Sequence, residues 1–136
     1  MTAAQPTGNE QIADKLKFNE KGLIPAIAQQ HDSGEILMMA WMNRDAVIET
    51  LDTGRVCYFS RSRGKLWRKG ESSGQIQNLV DFRYDCDQDC VLVQVDQIGV
   101  ACHTGRRNCF YFAARDGKEV VISQPEVSTE ELYGKK

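Results

Sequence analysis

The sequence predicts an α+β fold that consists mostly of antiparallel β-sheet with one firm helix. Several short apolar or β-branched segments are separated by turn residues, as is typical of strands joined by hairpins. One segment combines a helical stripe of apolar residues with favourable residues at both ends. The 136 residues, of which 41% are hydrophobic and 26% charged, fit one globular domain without internal repeats.

The predicted strands have the alternating or β-branched composition of a sheet. They cover residues 23–30, 35–42, 55–60, 75–84, 91–95, 99–102, 110–114 and 119–123. Turn residues at 31–34 join the first two strands into a hairpin, and Asp116 with Gly117 joins the last two. These short connections favour antiparallel pairing.

The firm helix lies between the second and third predicted strands. Asn43 is a favourable N-cap, and Gly54 ends the helix as a C-terminal glycine. The apolar stripe consists of Ala46, Val47, Ile48 and Leu51.

The predicted domain spans residues 16–123, between a flexible N-terminal arm and a C-terminal tail. The arm covers residues 1–15, and a short helix over 9–18, capped by Asn9, is the alternative for its later part. The tail, residues 124–136, is polar and either trails off or forms a short helix.

A stretch of alternating carboxylates and thiols runs from Asp85 to Cys90. If the strand that follows extends back through this stretch, its side chains alternate between two faces. Asp85, Asp87 and Asp89 then share one face, and Cys86 and Cys90 share the other.

These two faces predict two metals of different hardness. Three neighbouring carboxylates repel one another unless a cation lies among them, and oxygen ligands suit magnesium or calcium. Thiolates suit zinc. Cys102 and Cys109 flank a polar, glycine-containing loop and add two thiols.

Two other interpretations of these residues compete with a metal site. The three aspartates resemble the start of a calcium-binding helix-loop-helix loop, but Cys90 stands where that loop needs glycine. Free cysteines are ordinarily small buried hydrophobic residues, and this is the interpretation for Cys57, which lies in an apolar strand.

Residues 61–74 are basic, punctuated by glycine and rich in hydroxyl groups. Arginine forks, serine hydroxyls and open backbone amides can together hold phosphates. An ordinary solvated hairpin is the alternative, and composition alone favours it.

Composition also narrows the setting in which the chain acts. A formal net charge of −2 disfavours a general nucleic-acid-binding role. No apolar run approaches membrane-spanning length, and the N-terminus lacks the apolar core of a signal peptide. Five cysteines without a secretion signal predict a reducing, cytoplasmic setting.

A chain of this length has little surface area for a deep active site formed by one subunit alone. A site shared between subunits is therefore expected.

Three ordered blocks resemble the phosphoribosyl-AMP cyclohydrolase family, whose members open the adenine ring in histidine biosynthesis. The blocks are residues 58–63 with 66–74, residues 85–89, and residues 102–110. The hairpin at 22–42 also resembles the opening of the family's domain, so the resemblance covers about residues 16–121.

The resemblance implies an intertwined homodimer with two active sites at the subunit interface. The implied zinc ligands are Cys102, Cys109 and, from the opposite subunit, Cys86. The implied magnesium ligands are Asp85, Asp87 and Asp89. The residues expected to bind the substrate are Arg61, Arg63, Trp67, Lys69, Ser72, Ser73, Arg106 and Arg107.

The implied reaction is hydrolysis of the N1–C6 bond of 1-(5-phosphoribosyl)-AMP. Three thiolates leave one zinc position open for water, whose pKa falls towards neutrality. His103 directly follows an implied zinc ligand and is expected to be the general base or proton shuttle. This role requires the chain to turn at Thr104 and Gly105; otherwise His103 would bond to the backbone or to a phosphate.

One departure from the family keeps two other functions open. Cys90 stands where a small apolar residue is expected, and as a fourth thiolate it would close the zinc site of a non-catalytic dimerisation module. A zinc nucleobase deaminase is the other candidate, although the chain lacks the His-x-Glu and Cys-x-x-Cys signature.

Overall fold

The computed structural model describes residues 7–133. The strands are β1 (Ile24–Gln30), β2 (Ile36–Met42), β3 (Cys57–Ser60), β4 (Lys65–Arg68), β5 (Gln77–Tyr84), β6 (Val91–Gln97), β7 (Phe112–Arg115) and β8 (Lys118–Val121). The helices are α1 (Gly8–Lys15), α2 (Arg44–Thr53) and α3 (Thr129–Tyr133). No helix in this part of the chain is long and apolar enough to cross a membrane.

Six strands form one sheet in the order β4-β3-β2-β1-β6-β5, and β7 and β8 form a separate hairpin. Every neighbouring pair is antiparallel except β1 and β6, which pair in parallel. A parallel pair needs a long crossover, and here the segment from β2 to β5 provides it. The predicted α+β class with a mostly antiparallel sheet is therefore confirmed.

The predicted firm helix is confirmed as α2. The Asn43 side chain accepts a hydrogen bond from the Ala46 amide at 2.8 Å, and Gly54 ends the helix in the left-handed conformation. Ala46, Val47 and Thr50 are its buried residues. The helix thereby covers the sheet with small side chains, and the core forms between them.

The N-terminal helix starts earlier than predicted, and Thr7, not Asn9, is its cap. The Thr7 hydroxyl accepts from the Glu10 amide at 3.1 Å, and the Glu10 carboxylate accepts from the Thr7 amide at 3.0 Å. This reciprocal pair satisfies two amides that a cap at Asn9 would leave unpaired. Residues 1–6 of the predicted arm and 134–136 of the predicted tail lie outside the described residues.

The aspartate-cysteine stretch is a hairpin turn, so the strand does not extend back through it. β5 ends just before Asp85 and β6 begins just after Cys90. The Asp85 carboxylate accepts from the amides of Asp89 and Cys90, at 3.0 and 3.3 Å, and Gln88 has a φ of 65°. These local bonds compete with a strand ladder. The argument from two strand faces therefore does not hold.

The predicted strand at 99–102 is wrong, and a side chain binds carbonyl groups in and just before this segment. The Gln97 amide nitrogen lies 2.9 Å from the Ile98 oxygen and 3.3 Å from the Val100 oxygen. The Gln97 oxygen accepts from the Gln77 amide at 2.8 Å, and the Gln77 oxygen accepts from the Tyr58 hydroxyl at 2.7 Å. A buried polar network therefore replaces a strand ladder here.

This network predicts a specific effect of Tyr58→Phe. Removing the hydroxyl leaves the Gln77 oxygen without its donor in the core, which should lower the free energy of unfolding by about 1–2 kcal/mol. Urea denaturation followed by circular dichroism measures the change. Tyr84→Phe is the matched control, since the Tyr84 hydroxyl bonds to no other described residue. An equal loss in both variants would contradict the prediction.

Candidate functional site

The loop from Cys102 to Cys109 places two thiols at one cavity. Its backbone closes on itself, since the Gly105 amide donates to the Cys102 oxygen at 3.0 Å. The Cys109 amide donates to the Leu37 oxygen at 2.8 Å, which ties the end of the loop to β2. Cys102 is buried and Cys109 is half-buried, and both residues line one cavity.

The environment of Cys109 favours its neutral thiol. Burial, followed by the neighbouring Cys102 thiol, raises the pKa of Cys109 to about 12, and Lys69 opposes this in part. Lys69 is itself only 6% exposed, and its ammonium donates to the Ala101 oxygen at 2.8 Å. Burial lowers the pKa of Lys69, and the two thiols oppose that. Paired soft donors of this kind fit zinc, which displaces thiol protons when it binds.

His103 lies at the rim of the same cavity. It is exposed and lines a space of about 150 Å³ together with both thiols and Lys69. The Thr104 hydroxyl donates to the Cys102 sulfur at 3.0 Å, and the chain turns at these residues. The turn that a catalytic role for His103 requires is therefore present.

A larger cleft of about 490 Å³ lies beside the β3–β4 hairpin. It is lined by six of the eight predicted substrate-binding residues, namely Arg61, Arg63, Trp67, Lys69, Ser72 and Ser73. Trp67, Lys69 and Ser73 also line the thiol cavity, so the two spaces adjoin. The basic segment is thus a hairpin, as its composition favours, and also a wall of the cleft.

Sequence reasoning missed Trp41 as a site residue, because an aromatic side chain in a strand is ordinarily core. Trp41 lines the larger cleft, and the Arg61 guanidinium lies 5.1 Å from the centre of its ring.

The wall of the same cleft requires a glycine at position 70. A Cβ at Gly70, whose φ is +84°, would lie 2.6 Å from the Ile76 amide nitrogen.

The other two predicted substrate-binding residues, Arg106 and Arg107, contact the protein itself. Arg106 donates to the Ser123 oxygen at 2.9 Å. Arg107 approaches the Glu35 carboxylate at 3.4 Å and donates to the Gly99 oxygen. These contacts hold the thiol loop against the rest of the protein. Substrate binding by either arginine stays a prediction.

The three aspartates form a second candidate metal centre. Oxygen atoms of Asp85, Asp87 and Asp89 all lie within 4.8 Å of one another, and the three side chains are exposed. The negative charge of Asp85 raises the pKa of Asp89. Three hard oxygen donors at this spacing fit magnesium. The turn, and not a strand face, brings them together.

The remaining cysteines differ in position. Cys86 is exposed on the aspartate turn, and over residues 7–133 it forms no group of three possible ligands with Cys102 and Cys109. Cys90 is half-buried, and its sulfur lies 3.9 Å from the Val91 oxygen. Cys57 is fully buried, as its apolar strand predicts. One chain therefore brings together two of the three predicted zinc ligands.

Comparison with known proteins gives consistent matches. The family model described as phosphoribosyl-AMP cyclohydrolase matches residues 38–111. A protein of that name from Alcanivorax borkumensis is 62% identical over 135 residues, which cover 96% of this chain and 95% of the relative. One from Paramagnetospirillum magneticum is 67% identical, over 91% of this chain and 94% of the relative. One from Chromohalobacter salexigens is 62% identical, over 99% and 94%.

The aspartate cluster predicts that magnesium stabilises the fold through Asp87. Millimolar magnesium should raise the melting temperature of the wild-type protein by several degrees, and Asp87→Asn should abolish that rise. Without magnesium, the melting temperature of Asp87→Asn should be no lower than that of the wild type, because the substitution relieves the repulsion among the three carboxylates. Asp32→Asn removes the same charge from the exposed β1–β2 turn and should keep the rise. A full magnesium effect in Asp87→Asn would contradict the assignment.

Proposed function

Since the chain belongs to the phosphoribosyl-AMP cyclohydrolase family, we propose that it hydrolyses the N1–C6 bond of 1-(5-phosphoribosyl)-AMP. The enzyme is a hydrolase that acts on a cyclic amidine. Opening the adenine ring gives the phosphoribosylformimino-AICAR-phosphate intermediate of histidine biosynthesis. The observation that carries the proposal is the junction of the thiol cavity with the basic cleft at Trp67, Lys69 and Ser73.

The chemistry of the substrate explains why a thiol pair and a basic cleft should adjoin. Ribosylation at N1 withdraws electrons from the ring and makes C6 electrophilic. In our proposal Cys102, Cys109 and the partner subunit's Cys86 hold a zinc ion. Zinc bound there would act as a Lewis acid and lower the pKa of a water molecule towards neutrality. The basic cleft would fix the phosphates so that C6 lies over the thiol cavity.

The unpaired charges of the cleft support its role in phosphate binding. Arg61 and Arg63 line it, and neither forms a salt bridge with a described carboxylate. Ser72 and Ser73 add hydroxyl groups on the opposite loop. Guanidinium groups without a carboxylate partner can bind phosphate through two parallel hydrogen bonds. Magnesium at the aspartate turn would neutralise further phosphate charge.

Two observations support a homodimer as the active form. The thiol pair lacks a third ligand within the described part of one chain. The β7–β8 hairpin beside the thiol loop exposes apolar side chains, with Phe112 58% and Val121 43% exposed. A second copy that covers this hairpin would bury apolar area and bring a Cys86 to each site. Five free thiols, three of them assigned to zinc, suit a reducing cytoplasm.

His103 is the proposed general base. Its exposed ring at the rim of the thiol cavity can exchange protons with solvent and with water inside the cavity. The fixed turn at Thr104 holds it there. Lys69, buried beside the thiols, is the proposed donor to the substrate from the opposite wall.

A composite site predicts complementation between two inactive variants. Cys86→Ser and Cys109→Ser should each be inactive, and subunit exchange between them should restore about a quarter of wild-type turnover, because mixed dimers contain one intact site. Absorbance-monitored hydrolysis of phosphoribosyl-AMP measures the recovery. Mixing Cys102→Ser with Cys109→Ser is the control and should restore nothing, since both ligands must come from one chain. If the active protein sediments as a monomer, the shared site is refuted.

The role of His103 predicts the result of His103→Ala. The variant should keep its zinc and its dimer but lose about a hundredfold or more in turnover, which is the usual effect of removing a general base. The acidic limb of the rate–pH profile should change as well. His31→Ala alters the other histidine, exposed in the β1–β2 turn, and should leave turnover intact. Near-normal turnover with an unaltered profile in His103→Ala would exclude the role.

A further inference from the structure

The segment after β8 packs against the thiol loop. The Arg106 side chain, within the loop, donates to the Ser123 oxygen at 2.9 Å. The Glu126 amide donates to the Gly105 oxygen at 2.7 Å. The C-terminal segment, defined here as residues 123–132, is therefore attached to the loop at two points.

Gly105 makes the close approach of the C-terminal segment possible. Its φ is +86°, and a Cβ at this position would overlap the Val127 carbonyl oxygen. The Val127 amide also donates to the Gly105 oxygen at 3.3 Å. The glycine between the two thiols thus serves packing as well as backbone conformation.

α3 brings an apolar side chain to the thiols. The Ser128 hydroxyl accepts from the Glu131 amide at 3.1 Å, and the Glu131 carboxylate accepts from the Ser128 amide at 3.0 Å, so the helix has a capping box. A helix of one turn is marginal alone and depends on packing. Leu132 supplies that packing: it is 5% exposed and lines the cavity that holds Cys102 and Cys109.

We propose that Leu132 is a positioning residue of the reaction site, which forms the α3 wall of the thiol cavity and keeps bulk water and small reagents from reaching Cys102 and Cys109 through that side. An apolar wall excludes bulk water and so strengthens every electrostatic interaction inside the cavity. It also slows the escape of a metal held by the thiols. The inference rests on the proposed function in one respect only, the assignment of the thiol pair to the reaction site.

Alkylation of the metal-stripped, full-length protein tests the inference without any measurement of turnover. Mass spectrometry measures the rate at which iodoacetamide labels each cysteine in the wild type and in Leu132→Ala. The variant should label Cys102 and Cys109 about tenfold faster, because the truncated side chain leaves the cavity open. Cys90 lies on the aspartate turn and outside the thiol cavity, so it should label at an unchanged rate and serves as the internal standard.

Leu16→Ala is the matched control for general destabilisation. Leu16 is 6% exposed and packs in the main core, so the same atoms are removed at the same burial elsewhere. Its labelling rates at the two thiols should stay at the wild-type level. Leu132→Met keeps the volume of the side chain and should also behave as wild type. If Leu132→Ala loses its circular dichroism spectrum, Leu132→Val replaces it, with an expected increase of about threefold.

The two possible failures are distinguishable. Unchanged labelling in the Leu132 variant, or an equal increase in Leu16→Ala, overturns the role of Leu132. Release of zinc to a chelator from the loaded protein provides the second measurement, and Leu132→Ala should release it faster than Leu16→Ala; equal release rates also count against the role. Wild-type protein that protects its thiols through Leu132 but does not hydrolyse phosphoribosyl-AMP refutes only the proposed function.

Discussion

The arrangement of the site depends on one buried amide, that of Gln97 at the end of β6. Its nitrogen lies 2.9 Å from the Ile98 oxygen, 3.3 Å from the Val100 oxygen and 3.1 Å from the Gln75 oxygen. The first two carbonyls belong to the segment that leads into the thiol loop, and Gln75 and Val100 both line the thiol cavity. A single side chain therefore joins two segments of the wall of that cavity. Its own oxygen is paired with Gln77, so the network contains no unsatisfied group that would favour rearrangement.

The fold separates soft and hard donors by burial. The Cys102 and Cys109 thiols line a cavity in which burial favours the protonated form of Cys109, while the three aspartates lie on an exposed turn where water screens their repulsion. A buried group of three carboxylates would be far more costly to charge. Exposed thiols would oxidise more readily. Cys102, Cys109 and the three aspartates therefore lie in environments that their chemistry tolerates, and Cys86 is the exposed exception among the proposed zinc ligands.

Sequence periodicity predicted the regular elements well and the irregular segments poorly. α2 is where its stripe and caps placed it, because local signals such as Asn43 and Gly54 determine a helix end. Residues 99–102 were predicted as a strand, and the aspartate stretch was considered as the extension of one. Side-chain bonds from Gln97 and Asp85, which no periodicity reveals, hold both segments in other conformations. The order of the motifs along the chain predicted that most residues of the two cavities would lie together. The approach of Leu132 to the thiols was not predicted, since the polar composition of a terminal stretch does not indicate where that stretch packs.

The parallel pair of β1 and β6 at the centre of the sheet has a consequence for how the chain must fold. Ala26 lies beside Val91, so the central pairing joins segments about 65 residues apart, and closing so long a loop is slow. Until β6 arrives, β1 has an unpaired edge whose residues become buried in the native state. During synthesis this edge stays open for several seconds at ordinary elongation rates of about 5–20 residues per second. The nascent chain therefore carries this unpaired edge, which can pair with other chains, until just before the residues of the thiol loop emerge.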